Sequence, residues 1–93
     1  MMVTVRIPAQ IRRLYGAAAR EQLQAADIAG LVRALDSRYP GMGERLMEPD
    51  GQVRRWVNIF VNGEDIRVAN GPDTPLEPDD EVHIVPSVAG GAQ

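Results

Sequence analysis

Between Asp27 and Pro40 the apolar residues Ile28, Leu31, Val32, Leu35 and Tyr39 recur at the spacing of one stripe down an α-helix. Asp27 stands immediately before the stripe as an N-cap, a carboxylate able to accept the orphan N–H groups of the first turn. Pro40-Gly41 stops it. Gly30, inside the helix, costs roughly 1 kcal/mol relative to alanine but permits close approach to a packed neighbour. A helix apolar on one side only must lie on another apolar surface, and the rest of the chain offers that surface at strand period. Val3, Val5 and Ile7 alternate with Thr4 and Arg6, Val57, Ile59 and Val61 with Asn58 and Phe60, and Val82 and Ile84 flank His83.

The connecting segments order these pieces. Pro8 ends the first alternation, and residues 9–19 carry no clear period, with Tyr15-Gly16 as a turn. A short strand over Glu21 to Ala25 would make residues 2–25 a β-hairpin with a long loop. Residues 41–55 read as a connector, with a helical turn at Glu44 to Met47 and a tight turn at Pro49-Asp50-Gly51. Asn62-Gly63 tolerates positive φ at both centres of a type I′ turn, so Glu64 to Val68 can return as a hairpin partner. Leu76 plugs the core, and Glu81 to Val85 forms the last strand. The order β-β-α-β-β-β predicts an α+β roll of the β-grasp kind. In it a mixed sheet of about five strands packs on one main helix. Residues 1–86 form the domain and 87–93 a flexible tail carrying Gly90-Gly91. The predicted helix-facing residues are Val3, Val5, Ile7, Val57, Ile59, Val61, Val82 and Ile84.

Composition closes most catalytic options. The chain of 93 residues has room for one core and no deep interior cleft. It has no cysteine, hence no disulfide, thiolate metal site or cysteine nucleophile. All ten basic side chains are arginine, so neither Schiff-base chemistry nor a P-loop lysine is possible. His83 alone builds no multi-histidine metal site. Thirteen acids against ten arginines argue against a nucleic-acid surface. The longest apolar run, Val57 to Val61, falls far short of the ~20 residues of a membrane span, and the N-terminus lacks the apolar core of a signal peptide. The expected location is the cytoplasm. Asp79-Asp80-Glu81 reads as a solvated turn rather than a cation loop, and Glu44/Glu48 as a like-charge surface pair. His83, Phe60 and Val85 are expected on the open face of the sheet. There Phe60 and Val85 are candidate partner-docking residues, while Trp56 is expected to pack beneath the 41–55 connector.

The block Leu76-Glu77-Pro78-Asp79-Asp80-Glu81-Val82-His83-Ile84-Val85-Pro86-Ser87-Val88-Ala89-Gly90-Gly91 resembles the ending shared by ubiquitin-like sulfur carriers of the MoaD/ThiS family. Glu44 to Pro49, Val57 to Asn62, Glu64 to Arg67 and the opening Val3-Thr4-Val5 are similar to the actinobacterial members that serve cysteine biosynthesis. The resemblance spans essentially the whole chain.

It implies a protein co-substrate rather than an enzyme. An E1-like adenylyltransferase/sulfurtransferase would use ATP to convert the Gly91 carboxylate into an acyl-adenylate and then a thiocarboxylate. No cofactor would be bound by the carrier itself. A sulfur-accepting synthase would receive the sulfur: a PLP-dependent cysteine synthase, a thiazole-synthase-like enzyme, or an enzyme of another sulfur-containing product. Val88, Ala89 and Gly90 would thread the partner's active site. Glycines suit a narrow channel, since they lack Cβ atoms, and residues 87–91 extended reach about 17 Å. The sequence departs from the pattern at one point: Ala92-Gln93 follow Gly91, so its carboxyl is tied up in a peptide bond. A JAMM-type metallopeptidase cutting between Gly91 and Ala92 would release it. Two alternatives stand beside this reading: a ubiquitin-like interaction module without sulfur chemistry, and a molybdopterin synthase small subunit.

Overall fold

The computed structural model describes residues 2–86, so the expected tail lies outside the described residues. Five strands form one mixed sheet: β1 (Val3–Arg6), β2 (Arg20–Leu23), β3 (Val57–Val61), β4 (Glu64–Asp65) and β5 (Glu81–Pro86). Three helices accompany them, α1 (Ala9–Tyr15), α2 (Ile28–Arg38) and α3 (Met42–Leu46), with 3-10 turns at Ile66–Val68 and Gly71–Asp73. The spatial order is β2-β1-β5-β3-β4. The last strand therefore lies at the centre, parallel to β1 through Val5↔Val82 and antiparallel to β3 through Ile59↔Ile84. This is the expected β-grasp roll.

The α2 stripe forms as its spacing predicts. The Asp27 carboxylate accepts the Gly30 N–H at 2.7 Å, and Ile28, Leu31, Val32 and Leu35 are all buried. Against them lie Val3, Val5, Ile7, Val57, Ile59, Val82 and Ile84, with Leu76 closing the core near the start of the helix. Val61 points the same way but is only half-buried at the sheet margin. The Asn62-Gly63 turn has φ of 51° and 89°, as a type I′ turn requires.

Three predicted segments differ. The supposed hairpin loop contains α1, which the Pro8-to-Gly16 bracket permits. Pro8 holds extended backbone before the first turn, and Gly16, at φ 65°, closes the last in the left-handed region. Ile11 is its one buried side chain, too little to write a stripe. The second strand is displaced from the predicted Glu21 to Ala25 to Arg20–Leu23. The return strand after Asn62-Gly63 stops at Asp65, whose carboxylate accepts the Arg67 N–H at 2.9 Å and winds Ile66–Val68 into a 3-10 turn. Ile66 thereby turns into the core instead of alternating along a ladder.

Glu21 is the buried acid of this fold, on the inner face of edge strand β2 opposite Val5. It accepts a hydrogen bond from the Tyr39 hydroxyl, and the Arg38 guanidinium stands 3.4 Å from its other oxygen. The pair fastens the end of α2 to the edge strand. A charge aimed inward also discourages further strands from adding to that edge. Bonding to the Glu21 carboxylate, then partial burial, then the negative charge itself raise the Tyr39 pKa above its ordinary 10.0. The folded chain thus holds this proton more tightly than the unfolded chain, so the Tyr39 contribution is complete below pH 10 and is lost as pH rises through the raised value. Tyr39→Phe is expected to destabilise the domain by about 1–3 kcal/mol in urea unfolding at neutral pH. The difference from the parent chain should narrow above about pH 10.

Candidate functional site

The strand that delivers the tail is held at its start by polar contacts and along its length by neighbours on both sides. Asp79 adopts φ 72°, and its N–H donates to the Met2 carbonyl at 2.8 Å. The Asp80 carboxylate accepts from the Glu77 N–H at 2.8 Å and from Asn62 Nδ2 at 2.9 Å. The Asn62 side-chain oxygen in turn accepts the Glu81 N–H at 3.0 Å. The acidic run read as a solvated turn is therefore also the latch that starts β5. Beyond it, Val82 and Ile84 point into the core, while His83 and Val85 take the open face.

Strand register places both predicted docking residues on that open face. Phe60 lies opposite His83, and Val85 opposite Asn58, so the two are diagonal neighbours; Phe60 is half-buried and Val85 exposed. Beside them lies a charged cluster that sequence reading missed. One Glu81 oxygen accepts from Arg20 Nη2 at 2.9 Å and stands 3.3 Å from Arg6 Nε, and His83 Nε2 lies 4.0 Å from the other oxygen. The outward parity of Arg6 and His83 was visible in the alternation, but their meeting requires the parallel β1–β5 register.

Trp56 is a correction. It joins no secondary core under the connector but stays partly open to solvent, against the connector residues Gly41, Glu44, Arg45 and Arg54. Trp56 is 38% exposed at the start of β3, in a hollow it shares with Tyr15, Arg45 and Arg54. Its neighbour Val57 pairs with Pro86, so Trp56 stands beside the root of the tail. The Glu44/Glu48 pair is split: Glu48 bonds Arg54 at 2.9 Å and Glu44 stays exposed.

The remaining predicted site residues, Val88, Ala89, Gly90, Gly91 and Ala92, lie outside the described residues. An open groove of about 880 Å³ lies between α2 and the connector, where Ala29, Val32, Met47 and Pro49 are among its apolar lining. Among the described residues no group of three potential metal ligands gathers, and no helix is long and apolar enough to cross a membrane. What the site does offer is a central strand paired on both sides, an open sheet face with an apolar pair and a charged cluster, and an aromatic side chain beside the last residue of β5.

The model of the ThiS family matches residues 5–91. The chain is 39% identical over 93 residues to the sulfur carrier protein CysO of Mycobacterium tuberculosis, covering 98% of this chain and 100% of that one. The crystal structure of Mycobacterium tuberculosis CysO superposes with a TM-score of 0.85 at 36% identity, covering 91% of this chain and 98% of the other. A chain of the Amycolatopsis orientalis BexX/CysO complex superposes with a TM-score of 0.87 at 31% identity, covering 96% and 99%.

Trp56 is the chain's sole tryptophan, so its fluorescence reports on the tail root alone. Acrylamide is expected to quench the native protein to an extent approaching that of the urea-unfolded chain. Strong protection in the native state would contradict the exposed placement.

Proposed function

The chain belongs to the ThiS family and is a sulfur carrier protein of the CysO type, and from that premise we propose that its working group is the carboxylate of Gly91, exposed by removal of Ala92-Gln93. One Gly91 carboxylate oxygen attacks the α-phosphorus of ATP on an E1-like adenylyltransferase, and pyrophosphate leaves. Hydrosulfide, or its equivalent on the activating enzyme, then adds to the acyl carbon, AMP leaves, and a thiocarboxylate remains. The acceptor is a synthase that takes this sulfur as a nucleophile. A PLP-dependent cysteine synthase is the acceptor that the likeness to CysO favours, and the setting is the cytoplasm.

The observation that carries this reading is the joint position of fold and motif. The family match runs to Gly91 and leaves Ala92-Gln93 beyond it, while the strand leading to Gly91 is the central, doubly paired one. A carboxylate already joined to Ala92 has no free oxygen to attack ATP, so processing must precede activation. A JAMM-type metallopeptidase fits that step. The domain supplies binding rather than chemistry. Ordering a glycine-containing tail in a partner's channel costs conformational entropy, which contacts on the folded body must offset. The half-buried Phe60 and the exposed Val85 form an apolar pair on the open face and are assigned that docking role.

The test incubates a chain ending at Gly91, and the full chain, with the activating enzyme, Mg-ATP and sulfide, and reads intact mass. The shortened chain is expected to exchange one oxygen for sulfur, and the full chain to remain unchanged until Ala92-Gln93 is removed. Thiocarboxylate formed with Ala92 still attached would overturn the processing step. A Phe60→Ser/Val85→Ser double variant is expected to raise KM for the carrier about tenfold with little change in kcat.

A further inference from the structure

Apart from the Arg6–Glu81–Arg20 cluster, the unpaired charges of the domain are biased toward opposite ends of the central strand. We propose that this polarity seats the tail end of the carrier on an acid-rimmed entrance of its activating partner; the proposal rests on the carrier reading above and adds the partner's chemistry to it. The formal charge of −3 conceals the arrangement. Where β5 ends, Pro86 is paired with Val57, and Arg54 and Arg55 precede Trp56, the residue before Val57. On the other side of β5, the register brings Arg6 beside His83 and Arg20 beside Arg6. Arg6, Arg12, Arg20 and His83 line a hollow of about 370 Å³ next to Ile84. Arg13 follows on α1, and Arg45 reaches the Tyr15 hydroxyl at 3.4 Å.

The acids at this end are mostly occupied. Glu81, although it opens β5, serves both Arg6 and Arg20, Glu21 faces Arg38, and Glu48 bonds Arg54; Glu44 and Asp36, the latter bonded to the Gly41 and Gly43 N–H groups, make no ion pair among the described residues. Arg12, Arg13, Arg45 and Arg55 make no ion pair among the described residues. The opposite end of the sheet, at the β3–β4 turn and the turn leading into β5, reverses the sign. Glu64, Glu77, Asp79 and Asp80 gather there, none in an ion pair among the described residues.

Reach turns this polarity into a statement about the partner. Residues 87–91 span only about 17 Å when extended, so Gly91 meets a buried reaction centre only if the arginine-bearing end is pressed against the entrance. Unpaired guanidinium groups brought into that contact lose hydration without return unless carboxylates meet them. The matching rim is therefore acidic, and the acidic far end of the carrier is repelled by it, which favours approach tail first.

The experiment measures kcat/KM for ATP-dependent thiocarboxylate formation on the Gly91-terminated chain between about 25 and 300 mM NaCl. The parent is expected to lose about tenfold across that range. Arg13→Gln/Arg55→Gln should lose about tenfold at low salt, through KM, and show a flatter salt response. Arg13→Lys/Arg55→Lys should keep most of the parent activity, and the far-end pair Glu64→Gln/Glu77→Gln should stay within about twofold of it. Parental turnover that ignores salt, or an Arg→Gln pair that matches the parent, would overturn the proposal while leaving the carrier reading intact. If no variant forms thiocarboxylate, the carrier reading fails and takes this inference with it.

Discussion

The pairing of the first strand with the last is the contact on which this molecule depends. Val5 and Val82 sit side by side in a parallel ladder, both fully buried, and that register makes β5 the middle strand of five. Each such side chain contributes about 1.5–3 kcal/mol on burial, against the entropy of closing nearly the whole chain into one loop. With β5 held on both sides, a partner that draws in the tail pulls on the most interlocked element of the fold. An edge strand would peel. The latch from Asn62 through Asp80 to Glu81 fixes where that strand begins, and hence where the tail leaves.

The periphery follows from the same arrangement. With β1, β5 and β3 in the middle, β2 and β4 become edges, and each is guarded differently. β2 turns Glu21 inward beneath Tyr39 and Arg38, and β4 is only two residues long before the chain coils away. The helices cover one face and leave the other for contact. On the proposed function the labour divides in physical terms: the domain would hold, orient and present, while the terminus and partner enzymes would supply the reactive atoms. A chain without cysteine or lysine could serve in this way, since the proposed sulfur site is the main-chain terminus.

Much of this was legible in the sequence, for reasons that also explain what was not. The α2 stripe and the alternations around Val5, Ile59 and Val82 are strong because each element has one face in the core and one in water. The same parity put Phe60, His83 and Val85 together on the open face. Parity states which face a residue takes but not which strand lies beside it, so the Arg6–Glu81–Arg20 cluster, joined across 61 residues between Arg20 and Glu81, could not be read. α1 escaped because a short helix burying Ile11 alone writes no period. β4 was overextended because alternation in Glu64 to Val68 conceals the Asp65 cap that ends it. Trp56 was expected in a small core under the 41–55 connector, but the connector residues beside it, Gly41, Glu44, Arg45 and Arg54, are small or charged and leave it partly open to solvent. The motif ending at Gly91 was recognisable only through resemblance, since glycines at a chain end carry no periodicity of their own.

The central claim is that Gly91 becomes the sulfur-bearing terminus of a working carrier. The most direct test is intact-mass analysis of the protein isolated from its own cells, with its C-terminal peptide sequenced. The account predicts a population ending at Gly91 in which one carboxylate oxygen is replaced by sulfur, increasing when the acceptor enzyme is deleted. A chain that always ends at Gln93 and never carries sulfur would contradict it.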